Sequence, residues 1–319
     1  MKAAQMIGPR QIKLIETPTT SSIEGEVLVK VNKVSICGSD IRAFRTVFPE
    51  EQYPLSPGRP IHEVVGEIVN ISSGKFDIGD QVIAFPYGQG GLKEYISVPP
   101  SALVVLPEQG SLDAWLMCQP LGTVLYSISR MGDLIDKNVV ILGQGAIGLG
   151  FTKLMSGMNL RQLIAVDLED YRLDVARDMG ASCTINSNCY DVLEKVKELT
   201  NGHGADVVVE AAGENLAVQQ SVLLARKFGT VIWFGITTDP NFRFDFRYIR
   251  DNDLTIISTS STRSGNMHRY VKHAVDMVHQ DRIDPNFLIT HKMPVEDIQK
   301  AFEMYESRSD GIIKVILDL

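Results

Sequence analysis

"NVVILGQGAIG", residues 138–148, is an apolar run that stops at a glycine and continues as G-x-G-x-x-G through Gly143, Gly145 and Gly148. Three spaced glycines mean little by themselves in a chain with 26 of them. Their surroundings raise the specificity. A strand-like run, "NVVILG" (138–143), precedes them and "AIGLGFTKLMSGM" (146–158) follows with helical spacing. The next apolar run, "QLIAVD" (162–167), ends on Asp167, 19 residues after Gly148. That order marks a dinucleotide-binding loop. Gly143 permits the tight turn, Gly145 admits a pyrophosphate close to the backbone, and Gly148 lets helix and strand touch. Ala146 and Ile147 open the helix, whose unpaired N–H groups face the anion. Asp167 is placed to accept hydrogen bonds from the adenosine ribose and to repel a 2′-phosphate, which favours NAD over NADP. Arg172 either lies along that ribose or attracts a 2′-phosphate. The competing reading is an ordinary βαβ unit with a structural glycine turn.

The texture on either side extends the pattern. Downstream come "YRLDVARDMGA" (171–181), "ADVVVEAAG" (205–213), "LAVQQSVLLARKFG" (216–229), "TVIWFG" (230–235) and "LTIISTS" (254–260). Apolar strands alternating with amphipathic helices predict a doubly wound parallel sheet over residues 121–260. Upstream, residues 1–110 read as short β segments: 26–36, 63–71, 80–85 and 93–99, divided by Gly, Pro, Asp and Ser clusters. After 262 there are two helical stretches, 266–280 and 294–307, and a closing strand, "GIIKVILDL". The expectation is an α/β protein with a discontinuous β-rich catalytic domain, 1–120 plus 261–319. The coenzyme domain, 121–260, is inserted into it. "DVLEKVKEL" (191–199) reads as a solvated amphipathic face.

Bulk properties narrow the function classes. The chain has 319 residues, 44% hydrophobic and 22% charged, with a formal charge of −8. That balance argues against nucleic acid or an anionic membrane as partner. No segment approaches the roughly 18 apolar residues of a membrane span, and the start lacks a signal peptide's apolar core. Four cysteines, 37, 118, 183 and 189, form no C-x-x-C pair and no dense framework. A reducing cytoplasm is the expected setting.

A dinucleotide domain makes a reaction partner for the nicotinamide worth seeking. "VSICGSDIR" (34–42) holds Cys37, and "PIHEVVGE" (60–67) holds His62 and Glu63 at the mouth of a strand. "CQPLGTVLYS" (118–127) holds Gln119 at the change of texture. A thiolate, an imidazole and a carbonyl or carboxylate oxygen make an open zinc site with a position left for water or substrate. Asp40 is placed to accept the second ring N–H of a ligating histidine. Against this stand buried structural roles for Cys37 and His62, a polar cap at the domain seam for Gln119, and an N-cap for Ser39.

On these motifs the chain resembles the zinc-dependent medium-chain alcohol and polyol dehydrogenases, of the sorbitol or threonine dehydrogenase type, over nearly its whole length. The resemblance implies a GroES-like catalytic domain beside a Rossmann coenzyme domain. It implies Cys37 and His62 as ligands of one catalytic zinc, and Glu63 as a ligand or exchangeable near-ligand. Gln119 takes the third-ligand position through its oxygen or a bound water. Ser39 passes the substrate proton, Thr123 lies beside the nicotinamide, and Lys314 stands near the pyrophosphate. Three departures are visible. Ile61 replaces the glycine before the histidine, Gln119 replaces a glutamate, and only "PYGQGG" stands where the four-cysteine structural zinc lobe belongs. Arg42 takes the place of the next relay histidine and cannot be deprotonated.

The expected activity is reversible NAD-dependent oxidation of a secondary alcohol (a polyol, sugar or amino alcohol) to a ketone. The substrate is expected to be polar, with Arg42, Arg45 and Tyr87 near it. A homodimer or homotetramer is expected, joined through the apolar edge "TIISTS" (255–260). The rival readings are a zinc-free NAD(P)H quinone or enone reductase on the same fold, and a non-catalytic dinucleotide-binding protein.

Overall fold

The computed structural model describes residues 1–72, 74–237, 241, 244–259 and 265–319. The chain divides into two compact units, residues 1–122 with 268–319, and residues 123–267. The positions around 260, where the sequence places a domain boundary and the end of "TIISTS", lie outside the described residues.

The first unit opens on a hairpin, β1 (Lys2–Gly8) and β2 (Gln11–Glu16). There follow β3 (Val27–Ser35), α1 (Gly38–Arg45), β4 (Glu63–Ile71), β5 (Gln81–Ala84), β6 (Tyr95–Val98), β7 (Leu103–Val105) and α2 (Leu112–Ile128). Alternation along β3, with Val27, Val29 and Val31 buried and Lys30 exposed, is the period-2 signature of a half-covered strand. α2 carries Pro120 in its interior, which leaves a gap in the helix's hydrogen-bond ladder.

The second unit continues with β8 (Asn138–Leu142), α3 (Ala146–Met155), β9 (Gln162–Asp167), α4 (Asp170–Asp178), β10 (Cys183–Asn186) and α5 (Val192–Leu199). It closes with β11 (Ala205–Glu210), α6 (Asn215–Leu224), β12 (Ala225–Trp233), α7 (Phe246–Asp251) and β13 (Thr255–Ser258). All pairings in this sheet are parallel, in the order β10-β9-β8-β11-β12-β13. That is the doubly wound order, whose direction reverses beside β8. β8 is buried at every position, as a strand covered on both faces must be.

Two expectations fail here. Residues 225–229 do not extend the helix but begin β12, entering the sheet opposite Ala205 with a register shift and Phe228 at φ +62°. The segment at 191–199 is not merely solvated. It is α5, capped by the Asp191 carboxylate on Glu194 N at 2.9 Å, with Val192 and Val196 buried one turn apart in the sheet core.

The chain then returns to the first unit through α8 (Met267–His279), β14 (His291–Pro294), α9 (Ile298–Ser307) and β15 (Val315–Asp318). The first unit's large sheet runs β14-β15-β3-β4-β5-β7, with β6 also paired to β3. Its core includes Phe44 of α1 against Phe302 of α9, ring centres 4.9 Å apart. Two registers fix where the chemistry-bearing residues meet: Ser35 of β3 stands opposite Glu63 of β4 and opposite Ile316 of β15. Three strands therefore bring Cys37, His62, Glu63 and Lys314 to one end of the sheet.

Candidate active site

Cys37 is the N-cap of α1, and Asp40 occupies the third helical position. The Asp40 carboxylate reaches back so that Oδ2 accepts from Cys37 N at 2.7 Å. Its other oxygen, Oδ1, lies 2.9 Å from His62 Nδ1. One buried carboxylate thus ties together the two side chains singled out as ligands. With Nδ1 engaged, Nε2 is the ring nitrogen left for a metal, the arrangement usual for ligating histidines. Candidate donor atoms of Cys37, His62 and Glu63 lie within 4.8 Å of one another, the one such group among the described residues. Burial alone would lower the His62 pKa, but the Asp40 carboxylate outweighs it and holds the imidazole well above its usual value. A cation entering the cluster therefore displaces a proton.

Glu63 is buried and already partnered. Lys314 Nζ lies 2.6 Å from Oε2, and Ser35 Oγ donates to the same oxygen. Burial would raise the Glu63 pKa, but Lys314 overrides it and keeps the carboxylate ionised. Lys314 is 1% exposed, and the Glu63 charge likewise raises its pKa against the effect of burial. A buried ammonium must be neutralised where it sits, and Glu63 does this for Lys314. Ser35 is the residue that sequence reasoning missed. Only the pairing of β3 with β4 places it there, and no motif spacing announces that.

Gln119 lies in α2, buried, and its amide is spent on backbone. Nε2 donates to His62 O at 2.8 Å, and Oε1 accepts from Val64 N at 3.4 Å. It clamps the strand entry that carries His62 and Glu63, a polar cap rather than an oxygen aimed at the cluster. Ser39 is half-buried in the first turn of α1, and Arg42 follows on the same helix. Arg45 is withdrawn from any substrate role. Its Nε pairs with Glu306 at 2.8 Å, where Arg10 also binds, so it fastens α1 to α9. The short connection at 86–91 contains a single helical turn, and Gly91 N donates to Ile61 O at 2.9 Å, beside the segment leading into His62. Tyr87 within it is 63% exposed.

In the second unit, β8 runs into the glycine loop. Gly143 has φ +89° and donates its N–H to Val166 O at 2.8 Å, and Gly145 is the N-cap of α3, where Ala146 and Ile147 begin the helix. A Cβ on Gly148 would lie 1.8 Å from Gly143 O, so only glycine fits there. Asp167 ends β9, 8% exposed. Its Oδ2 accepts from Gln144 N at 2.5 Å, and Oδ1 from Leu168 N and Glu169 N at 2.8 and 3.0 Å. Those three bonds leave about one of a carboxylate's four acceptor positions open. The Arg172 guanidinium stands over the loop, with Nη1 3.9 Å from where a Gly145 Cβ would be and Nε donating to Tyr171 OH. Thr123 lies half-buried in α2.

Residues 23–108 match the alcohol dehydrogenase GroES-like domain, and residues 146–280 match the zinc-binding dehydrogenase domain. Fold and matches together define an oxidoreductase of the alcohol and polyol dehydrogenase class. The chain belongs to the zinc-type medium-chain dehydrogenase family. Sorbitol dehydrogenase of Bacillus subtilis (strain 168) is 26% identical, across 99% of this chain and 97% of its own. Alcohol dehydrogenase TADH from Thermus sp. ATN1 superposes with a TM-score of 0.89 at 22% identity, covering the whole of both chains. An alcohol dehydrogenase from Escherichia coli CFT073, solved with NADH, gives 0.86 at 25% identity, covering all of this chain and 99% of that one.

Proposed function

We propose that this protein is a zinc- and NAD-dependent dehydrogenase that oxidises a polar secondary alcohol to a ketone, reversibly. The observation that carries the reading is the donor cluster of Cys37, His62 and Glu63, tied by Asp40. A thiol, an imidazole oriented by a carboxylate and a second carboxylate fit one catalytic zinc with an open position. A bound zinc supplies Lewis acidity toward an alcohol oxygen, and NAD supplies the hydride acceptor.

The chain's own residues divide the remaining work. Cys37 and His62 would hold the ion through sulfur and nitrogen, and Glu63 would be the third ligand through a carboxylate oxygen, its charge balanced by Lys314. Gln119 positions rather than ligates, because both ends of its amide are engaged by the His62–Val64 backbone. Ser39 Oγ holds the substrate's hydroxyl proton and hands it to water, since the neighbouring Arg42 cannot take it. The glycine loop receives the pyrophosphate at the start of α3, and the remaining acceptor position of Asp167 meets the ribose. Residues 1–120 with 261–319 form the catalytic domain, and 121–260 the coenzyme domain. β13 at the sheet edge supports a homodimer or homotetramer. Four free cysteines fit a cytoplasmic setting.

A screen of NAD reduction across polyols, amino alcohols and phosphorylated sugars tests this, run with and without a chelator. Turnover on a secondary alcohol that a chelator abolishes and zinc restores is the expected result. Reduction of quinones or enones by metal-stripped protein, or NADH binding without turnover on any alcohol, would overturn it.

A further inference from the structure

Glu210, the last residue of β11, is fully buried, and nothing in the chemistry above uses it. In register it stands beside Leu142 of β8 on one side and Trp233 of β12 on the other. It therefore sits at the carboxyl ends of the central strands, where doubly wound sheets take their ligands. Its Oε1 accepts from Ala212 N at 2.9 Å and from Gly213 N at 2.7 Å, closing a turn directly beyond the strand. Oε2 is buried without a hydrogen-bond partner among the described residues. The space beside it belongs to Gly235, where a Cβ would come within 2.4 Å of both Oε2 and Gly213 N. Burial pushes the carboxyl pKa up, against the N–H groups of Gly213, Ala212 and Gly235, which pull it down. Such a group is costly to bury.

The turn closed by Glu210 is one wall of the glycine loop. A Cβ on Gly143 would meet N, Cα and Cβ of Ala212 at 2.9 Å. Gly143 has little freedom to retreat, because its own N–H is held by Val166 O. A displacement of Ala212 is therefore passed to the loop. We propose that Glu210 is a positioning residue for the coenzyme: its carboxyl group sets the turn at 211–213 against Gly143 and thereby fixes the phosphate-binding loop. This rests on the coenzyme reading above.

Fluorescence titration with NADH separates the possibilities, using wild type, Glu210→Gln, Glu210→Ala and Gly235→Ala. Gln retains an acceptor oxygen for Ala212 and Gly213 and should bind NADH within about threefold of wild type. Glu210→Ala strands two amides and should weaken binding about tenfold or more. If that variant does not fold, Gly235→Ala tests the coupling of the turn to the loop, since its methyl group would press on both the acid and Gly213 N, and a comparable loss is expected. Zinc content should be unchanged in each. Wild-type affinity in both alanine variants, or a lowered melting temperature with unaltered affinity, would overturn the inference alone. A wild-type protein that binds no NADH would overturn the coenzyme reading and this inference with it.

Discussion

Asp40 shows how much of a site can depend on one side chain. Its two oxygens hold Cys37 N and His62 Nδ1, so the thiol and the imidazole are positioned by the same carboxylate. In Asp40→Asn an amide NH2 must face one of two N–H donors: toward Cys37 N it breaks the cap of α1, and toward His62 Nδ1 it forces the tautomer that is wrong for ligation. Zinc affinity, measured by competition with a chromogenic chelator, should fall about 10- to 100-fold. An unchanged affinity would show that Asp40 does not orient the ligand. Cys37, Asp40, His62 and Glu63 are legible in the sequence because each lies in a short segment whose chemistry is local. Gln119 and Lys314 are not. Where an amide or an ammonium ends up depends on which strand lies beside it, and α2 and β15 are each far along the chain from Glu63.

At the scale of elements, α2 is fastened at its start by charge. Asp113, in its first turn, pairs with Lys33 of β3 at 3.1 Å and with Lys292 of β14 at 2.5 Å. Burial would raise the Asp113 pKa, but the two lysines outweigh it and the carboxyl titrates below its usual range. A group with a depressed folded pKa contributes stability above its unfolded pKa, near 4, and loses it as pH falls through the folded value. Asp113→Asn should therefore cost about 1–2 kcal/mol at pH 7, discounted because Lys292 is half-exposed. The cost should shrink as pH falls below the unfolded pKa and through the depressed folded value. Denaturant unfolding at several pH values measures this, and a penalty that persists in acid would contradict it. Element type was legible wherever the period was clean, as in β4, whose bounds at 63–71 match the apolar run. It failed at 225–229, where a run with helical spacing crosses a helix end at Leu224 and a register shift that only the neighbouring strand imposes. α5 shows the opposite error: its charged residues draw attention from Val192 and Val196, which do the packing.

At the scale of the whole molecule, the doubly wound order and the strand convergence at Ser35 grow out of patterns visible in the chain, apolar runs alternating with helices and a closing strand that needs a sheet. Asp167 links the coenzyme loop to β9 as well as to any ribose. Asp167→Gly should accordingly lower NAD affinity while narrowing the preference for NAD over NADP, read from kcat/KM with each coenzyme. A wild-type preference for NADP would contradict that assignment.

The central claim is a single catalytic zinc held by Cys37, His62 and Glu63. The connection at 86–91 contains no cysteine, and a structural site needs four close ligands. Elemental analysis of metal-replete wild type and of Cys37→Ser, paired with turnover, tests it most directly. The account predicts one zinc per chain in the wild type, and neither zinc nor turnover in Cys37→Ser, with NADH binding retained. Two tightly held zincs per chain, or full activity with none, would contradict it.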